Sequence, residues 1–397
     1  MTRPLRIGFD VAQTCQERAG CGWYADALAQ ALVTAAPDNQ YFFYHHFDSW
    51  CNESTATGTR IDAACAHSPL ESLGRAEAAK FWEQVRAGKM PLPGEPDIVH
   101  SNSYQAPRVG NARLVFTVYD VSYWTHPEFT TDGNRLACQD GVCGALQRAD
   151  GFLFISESSQ REFESVLPGW LARNDQPWAV TLLGPRGHGS AADDYAILPG
   201  GGGDFWLAVG TLEPRKNYET LLDALDLYWQ RSAQPMPLRI AGGGGWKSDA
   251  LKEHLATLEA KGRVQRLGYV SDADLLRLYG EAQALIFPSW YEGFGLPVLE
   301  AMGQGVPVIC SDRASLPEVG GDAAVYIDPA SAESICGAML ALEADPARRA
   351  RLAVAGRQQA ARFSWERTAR QTLDFYRRVL DLPRAGEQST GRRRPMH

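Results

Sequence analysis

Residues 284–309 read ALIFPSWYEGFGLPVLEAMGQGVPVI. The stretch opens with an apolar run of strand length, ALIFPS at 284–289. A loop from Trp290 to Leu296 follows, and its Gly293 and Gly295 allow the backbone to come close to a ligand. Pro297 then stands where proline is best tolerated, in the first turn of a helix that should run to about Gly303. A second apolar run, VPVIC at 306–310, makes the next buried strand. Strand, loop, helix, strand is the repeating unit of a parallel sheet covered by helices.

The same alternation extends along the chain in both directions. LRIGFDV (5–11), YFFYHHF (41–47), DIVHS (97–101), RLVFTVYD (113–120) and GFLFIS (151–156) read as strands in the first half, with helical patterns at Tyr24–Ala35 and Leu136–Arg148. DFWLAVG (204–210), LRIAG (238–242), VQRLGYV (264–270) and AAVYID (323–328) continue the series. The fold class expected is α/β, with two Rossmann-like, doubly wound parallel-sheet domains facing each other across a cleft. The glycine-rich segment 186–204 reads as a hinge between domains 1–185 and 205–362. Residues 363–381 form a last helix that returns toward the first domain, and 382–397 form a polar, disordered tail. In such sheets ligands bind at the carboxyl ends of the strands. The amphipathic stretch 73–88 carries Phe81, Trp82 and Val85 on one face. It packs on the first domain or meets a membrane or lipid-linked acceptor.

Composition narrows the function. Hydrophobic residues make up 45% and charged residues 22% of the 397, as in ordinary globular proteins. A net charge of −8 gives no electrostatic reason to bind nucleic acid. The N-terminus MTRPLRIGFDV lacks the apolar centre of a signal peptide. No window supplies the roughly 18 consecutive apolar residues of a membrane span. A cytoplasmic protein is expected, with peripheral contact at the inner face of the plasma membrane as an open option. The eight cysteines are scattered, without a CxxC pair or a Cys/His ligand cluster, so no metal is expected.

Four stretches carry chemistry. In FWLAVGTLEPRKN (205–217) a strand ends near Gly210, Thr211 enters a short loop, and a helix begins near Asn217. Arg215 and Lys216 then lie beside a helix N-terminus, where free amides, dipole and cations make an anion site. A solvated basic turn is the plain alternative. Glu292 lies on the glycine loop and Glu300 about one turn into the helix. Carboxylates for glycoside hydrolysis flank the scissile bond at set distances. These two flank a glycine turn instead, a geometry suited to gripping hydroxyls around a diphosphate. Two solvated carboxylates are the alternative. In RAGCGWYADAL, Gly20, Gly22 and Ala25 formally match a dinucleotide-binding pattern, with Asp48 ending the second strand. The tight turn that motif needs is missing, because residues 12–19 intervene. A mobile glycine loop over the cleft fits better. Tyr119 and Asp120 end a strand and should reach the cleft to hydrogen-bond a sugar, unless Asp120 is a cap and Tyr119 is packed. His100 reads as structural and Ser156 as a helix cap.

These residues resemble the retaining nucleotide-sugar glycosyltransferases with the GT-B fold, family GT4. The matching stretches are VGTLEPRKN, GYVSDADL, FPSWYEGFGLPVLEAMGQGVPVICSD, SLPEVGGDAAVYIDP and FSWERTARQTLDFY, with looser matches through AGCGWY, TVYDVSYWTHPEF and FISESSQREF. The resemblance spans nearly the whole chain to about Leu380 and leans toward bacterial mannosyl- or rhamnosyl-type transferases of polysaccharide assembly. It implies that Glu300 binds ribose hydroxyls and Glu292 hydroxyls of the donor sugar. Amides of Gly293, Phe294, Gly295 and Leu296 would approach sugar and diphosphate, and Arg215 and Lys216 would neutralise the leaving group. Gly210 and Thr211 would border the donor, Val270 and Leu275 would flank the nucleobase, and Gly20 and Gly22 would lie under the diphosphate or acceptor. The implied partners are a nucleotide-sugar donor and a glycan or lipid-linked acceptor. One departure stands out: many members have His-Asp where this chain has Tyr119-Asp120. The alternatives are a nicotinamide-dependent oxidoreductase using the Gly20/Gly22 loop, a non-catalytic sugar-nucleotide-binding module, and another GT-B reaction such as glycogen-type synthesis or phosphorolysis.

Overall fold

The computed structural model describes residues 3–15, 20–186, 203–245 and 249–383. The tail beyond Pro383 and most of the expected hinge lie outside these. Among the described residues, the chain forms two sheets. The first contains β1 (Arg6–Asp10), β2 (Gln40–Tyr44), β3 (Ala66–His67), β4 (Ile98–Ser101), β5 (Arg113–Val118), β6 (Gly151–Phe154) and β7 (Trp178–Val180), in the order β3-β2-β1-β4-β5-β6-β7. The second contains β8 (Trp206–Val209), β9 (Leu238–Ala241), β10 (Val264–Gly268), β11 (Ala284–Phe287), β12 (Val308–Ser311) and β13 (Ala324–Ile327), in the order β10-β9-β8-β11-β12-β13. All pairings between these strands are parallel.

The α-helices of the first half are α1 (Gly20–Ala35), α2 (Arg75–Arg86), α3 (Ser122–Thr125), α4 (Asp132–Arg148), α5 (Glu157–Val166) and α6 (Trp170–Arg173). Those of the second are α7 (Tyr218–Arg231), α8 (Asp249–Ala260), α9 (Asp272–Glu281), α10 (Leu296–Gly303), α11 (Leu316–Gly320), α12 (Ala332–Ala344), α13 (Pro346–Ala360) and α14 (Trp365–Leu380). Helices on the sheet faces explain why strands such as β5, RLVFTV, and β11, ALIF, are buried throughout and read as continuous apolar runs.

The strand order positions the site. In each sheet the chain winds outward to one side, returns, and winds outward to the other. The switch falls between β1 and β4 in the first sheet and between β8 and β11 in the second. Loops leaving neighbouring strands there diverge and open a crevice. The loop after β8 carries Gly210–Lys216, and the loop after β11 carries Trp290–Gly295. These two segments, some eighty residues apart in the chain, therefore emerge side by side.

Several strands stop short of their apolar runs. β11 ends before Pro288, which has no N–H for the ladder. β5 ends at Val118, so Tyr119 and Asp120 lie just past it. β2 ends at Tyr44, which corrects the placement of Asp48. That residue sits beyond the strand at φ 53° and pairs with Arg86. The two short edge strands, β3 and β7, carry too few residues for a readable pattern.

Gly20 and Gly22 also need correction. They do not form a mobile loop but the first turn of α1, because the helix-forming run through Ala25 and Ala29 extends back to Gly20. In α2, Ala78, Trp82 and Val85 are buried. The Trp82 indole donates to the His46 carbonyl at 3.0 Å and its ring meets Phe47 edge-on. The first domain's core thus consumes this apolar face, and packing is the reading that holds. Among the described residues, no helix is long and apolar enough to cross a membrane.

The last helix, α14, packs on α1 and β5 of the first domain. Its Trp365 indole donates to the Pro185 carbonyl at 2.9 Å, and its Tyr376 hydroxyl meets His100 Nδ1 at 2.6 Å. His100 is fully buried, its other ring nitrogen is 2.6 Å from Thr117, and burial lowers its pKa to about 3. It is a neutral structural residue. Ser364 caps α14 by accepting from the Arg367 amide at 3.2 Å. Ser364→Ala should cost about 1 kcal/mol in equilibrium denaturation and leave binding in the cleft unchanged.

Candidate active site

A cavity of about 570 Å³ lies between the domains. Gly20, Tyr119 and Asp120 line it from the first. Gly210, Thr211, Arg215, Lys216, Val270, Leu275 and the run Glu292–Pro297 line it from the second. Of the residues singled out from the sequence, Gly22 is buried in α1 and Glu300 stands behind the wall.

The floor is set by two touching loops. Asn217, held at φ 57°, donates through its amide to the carbonyls of Pro288 (3.0 Å) and Pro329 (2.8 Å). The Trp290 amide donates to the Arg215 carbonyl at 2.9 Å. This clamp brings Arg215 Nη1 within 2.7 Å of Glu292 and Lys216 Nζ within 2.6 Å of its other oxygen. Arg215 Nη2 also reaches Glu213 at 2.6 Å. Lys216 runs over Gly210, where a Cβ would come within 3.1 Å of its Cε. Its ammonium lies 4.7 Å from the Phe287 ring centre.

The cluster holds two cations and two carboxylates, so its formal charges cancel. Neither a solvated basic turn nor a free anion site describes it. Burial works against every charge in it. For Glu292 burial raises the pKa, but Arg215 and Lys216 outweigh it and hold the carboxyl below the ordinary range. For Lys216 burial outweighs the attraction of Glu292, with Arg215 adding repulsion, and its pKa is lowered. Arg215 stays firmly charged, because Glu292, Glu213 and Asp120 overcome its burial.

Glu300 sits one turn into α10 and is buried. One oxygen accepts from Arg186 Nε at 2.6 Å and the other from the Tyr279 hydroxyl at 2.9 Å. Arg186 also stacks over Trp23 of α1, with its guanidinium carbon 5.2 Å from the ring centre. A carboxylate has about four acceptor positions, so two remain for other donors. Both glutamates are therefore buried and engaged, not solvated.

Tyr119 is corrected. Its ring lines the cavity, but its hydroxyl donates to the Asn102 carbonyl at 2.8 Å and is buried against Tyr24. Burial first, then nearby Cys21, pushes its pKa far above the usual value, so it supplies no base. Asp120 uses one oxygen to accept from the amide and hydroxyl of Ser122, the first residue of α3, at 2.9 and 2.8 Å. Its other oxygen faces Gly293. Ser156 caps α5. Sequence reasoning missed Arg186, Glu213 and Tyr279. Only Glu213 carried a signal, its place two residues before Arg215.

The site thus sets two carboxylate-paired cations on the cavity wall beside the N-terminus of α10. Residues 197–359 match the family model described as glycosyl transferases group 1. Over 270 residues, 67% of this chain and 70% of the relative, the sequence is 34% identical to the O-antigen chain mannosyltransferase B of Escherichia coli. The chain belongs to the group 1 glycosyl transferases. It is also 29% identical over 342 residues to the serotype-specific mannosyltransferase WbdA of Escherichia coli, covering 80% of this chain but 41% of that longer protein. Its fold is similar to that of Anabaena HepE, solved in complex with UDP and glucose, with a TM-score of 0.66 at 19% identity, covering 93% of this chain and 98% of that one. As a group 1 glycosyl transferase of GT-B fold, the chain is a transferase, which sets aside the nicotinamide oxidoreductase and the non-catalytic module.

Proposed function

We propose that this enzyme moves a hexose or deoxyhexose from a nucleoside-diphosphate sugar to a hydroxyl of a growing glycan or lipid-linked oligosaccharide in bacterial surface polysaccharide assembly. The donor is of GDP-mannose or GDP-rhamnose type and the anomeric configuration is retained. The observation that carries the reading is the Arg215–Lys216–Glu292 cluster set against the Gly293–Leu296 segment at the head of α10. Mannosyltransferase relatives support the sugar, and the UDP complex of a protein sharing the fold supports a nucleotide donor.

Charge grows on the leaving diphosphate as the glycosidic bond breaks. Arg215 and Lys216, fixed before the reaction, stabilise that charge without reorganisation. A diphosphate drawing these cations frees Glu292 oxygens to accept from sugar hydroxyls. Glu300 stands behind Arg186, which lines the cavity, and a nucleotide that draws Arg186 away frees its oxygen to accept from the ribose diol. With its hydroxyl tied to Asn102, Tyr119 is not the base, in keeping with a leaving phosphate that takes the acceptor proton. A neighbouring cavity of about 640 Å³ shares Asp120, Asn134 and Arg215 with the first and carries Trp50, Gln105 and Thr130. Its aromatic and amide lining suits a glycan end.

A thermal-shift screen of nucleoside diphosphates and their sugars, followed by NMR of the product's anomeric proton, tests the reading. A donor at a hundredfold excess over its Kd should stabilise by about 2.7 kcal/mol. No shift with any nucleoside diphosphate, or an inverted anomeric centre, would refute it. Glu300→Gln should weaken nucleotide binding about tenfold, because a charge-assisted acceptor becomes a neutral one.

A further inference from the structure

The donor loop is held by two hydroxyls that the proposed chemistry does not use. Ser315 Oγ lies 2.8 Å from the Glu292 carbonyl and 2.7 Å from that of Phe294, sharing its hydrogen between them. The carbonyl between these, of Gly293, accepts from Ser156 Oγ at 2.7 Å, across from the first domain. Three successive carbonyls are thus anchored, two from behind and one from the facing domain.

In a trans peptide the N–H points opposite to the C=O. Ser315 therefore turns the Gly293 and Gly295 amides away from itself, and Ser156 does the same for the Phe294 amide. Among the described residues, none of these three N–H groups, nor that of Leu296, finds a protein acceptor. All four residues line the 570 Å³ cavity. The anchors are themselves coupled. Ser315 leads into α11, whose Glu318 accepts from the Glu157 (2.9 Å) and Ser158 (3.2 Å) amides in the first turn of α5. That is the helix Ser156 caps.

Resting on the donor reading above, we propose that Ser156 and Ser315 are positioning residues that fix the peptide orientations of Glu292–Gly295, so that the Gly293 and Gly295 amides, turned away from Ser315, face the donor's diphosphate. Ser156 makes this depend on the first domain, which otherwise stands on the acceptor side.

The test is calorimetric titration of GDP and of guanosine into the wild type and the Ser156→Ala, Ser315→Ala and Ser159→Ala variants, with thermal melts. Ser156→Ala and Ser315→Ala should each lose about tenfold in GDP affinity and leave guanosine affinity unchanged. Ser159→Ala removes the other half of the α5 capping box, a hydroxyl 3.0 Å from Ser156 Oγ, but leaves Ser156 free to donate to Gly293; it should lower Tm and keep the GDP-to-guanosine ratio. Equal losses for GDP and guanosine, an unshifted ratio in both loop variants, or a ratio shift in Ser159→Ala would overturn the proposal. A wild type that binds none of GDP, UDP or ADP would overturn the donor reading and this inference with it. A wild type that binds one of them while both loop variants bind it equally well would overturn this inference alone.

Discussion

Lys216→Ala should lower kcat by about a hundred- to a thousandfold, on the scale found when one preorganised donor to a developing oxyanion is removed. The protein should stay folded. Glu292, the carboxylate Lys216 neutralises, keeps its 2.7 Å pair with Arg215, so no buried charge is stranded. The loss should fall on kcat and kcat/KM alike, because the interaction strengthens as charge moves onto the diphosphate. Lys216→Arg should not restore the rate. The ammonium sits 2.6 Å from the Glu292 oxygen and 4.7 Å from the Phe287 ring centre as a compact point charge, and a guanidinium is a broader planar fork. Steady-state rates with a saturating donor, alongside a thermal melt, measure both halves. Wild-type turnover in Lys216→Ala would remove this residue from the leaving-group site.

Glu292→Ala should destabilise the protein by about 3 kcal/mol, the usual cost of breaking a buried pair by deleting one partner. Two cations share this carboxylate. Without it Arg215 keeps Glu213, but Lys216 is left buried beside a like charge. The pH dependence gives a second signature. The folded-state pKa of Glu292 is depressed, so its contribution is full above the unfolded value of 4.5 and is lost as pH falls through the folded value. Urea midpoints of wild type and variant should therefore differ most near neutral pH and converge in acid. Equal midpoints at neutral pH would mean that the cluster relaxes when its carboxylate is removed.

The α/β architecture was legible because parallel strands buried on both faces leave continuous apolar runs. ALIFPS and RLVFTVYD announced themselves, while β7, three residues at a sheet edge, did not. The lining of the candidate site was legible through residue types with few other uses: glycines between two glutamates, and an Arg-Lys pair before a helix. The misreadings have a common cause. Gly20 and Gly22 resembled a loop because glycine is locally permissive, yet a buried helix followed and absorbed them. Tyr119 looked available for sugar binding because its strand ends at the cleft, yet a carbonyl at Asn102 takes its hydroxyl.

Sequence alone determined which loops line the cleft, since strand ends, glycine turns and helix starts are local properties of a few adjacent residues. It also determined that Glu292 and Glu300 have different supports, one a loop and one a helix. Tertiary structure decided who partners whom. Arg215 and Lys216 meet Glu292 because β8 and β11 are neighbours in the sheet, although 76 or 77 residues separate them in the chain. Arg186 reaches Glu300 over 114 residues, and Ser156 reaches the Gly293 carbonyl over 137. Such pairings depend on strand order and on the facing of two domains. No local pattern of residues encodes them, because the energy that selects them comes from burial of the whole fold.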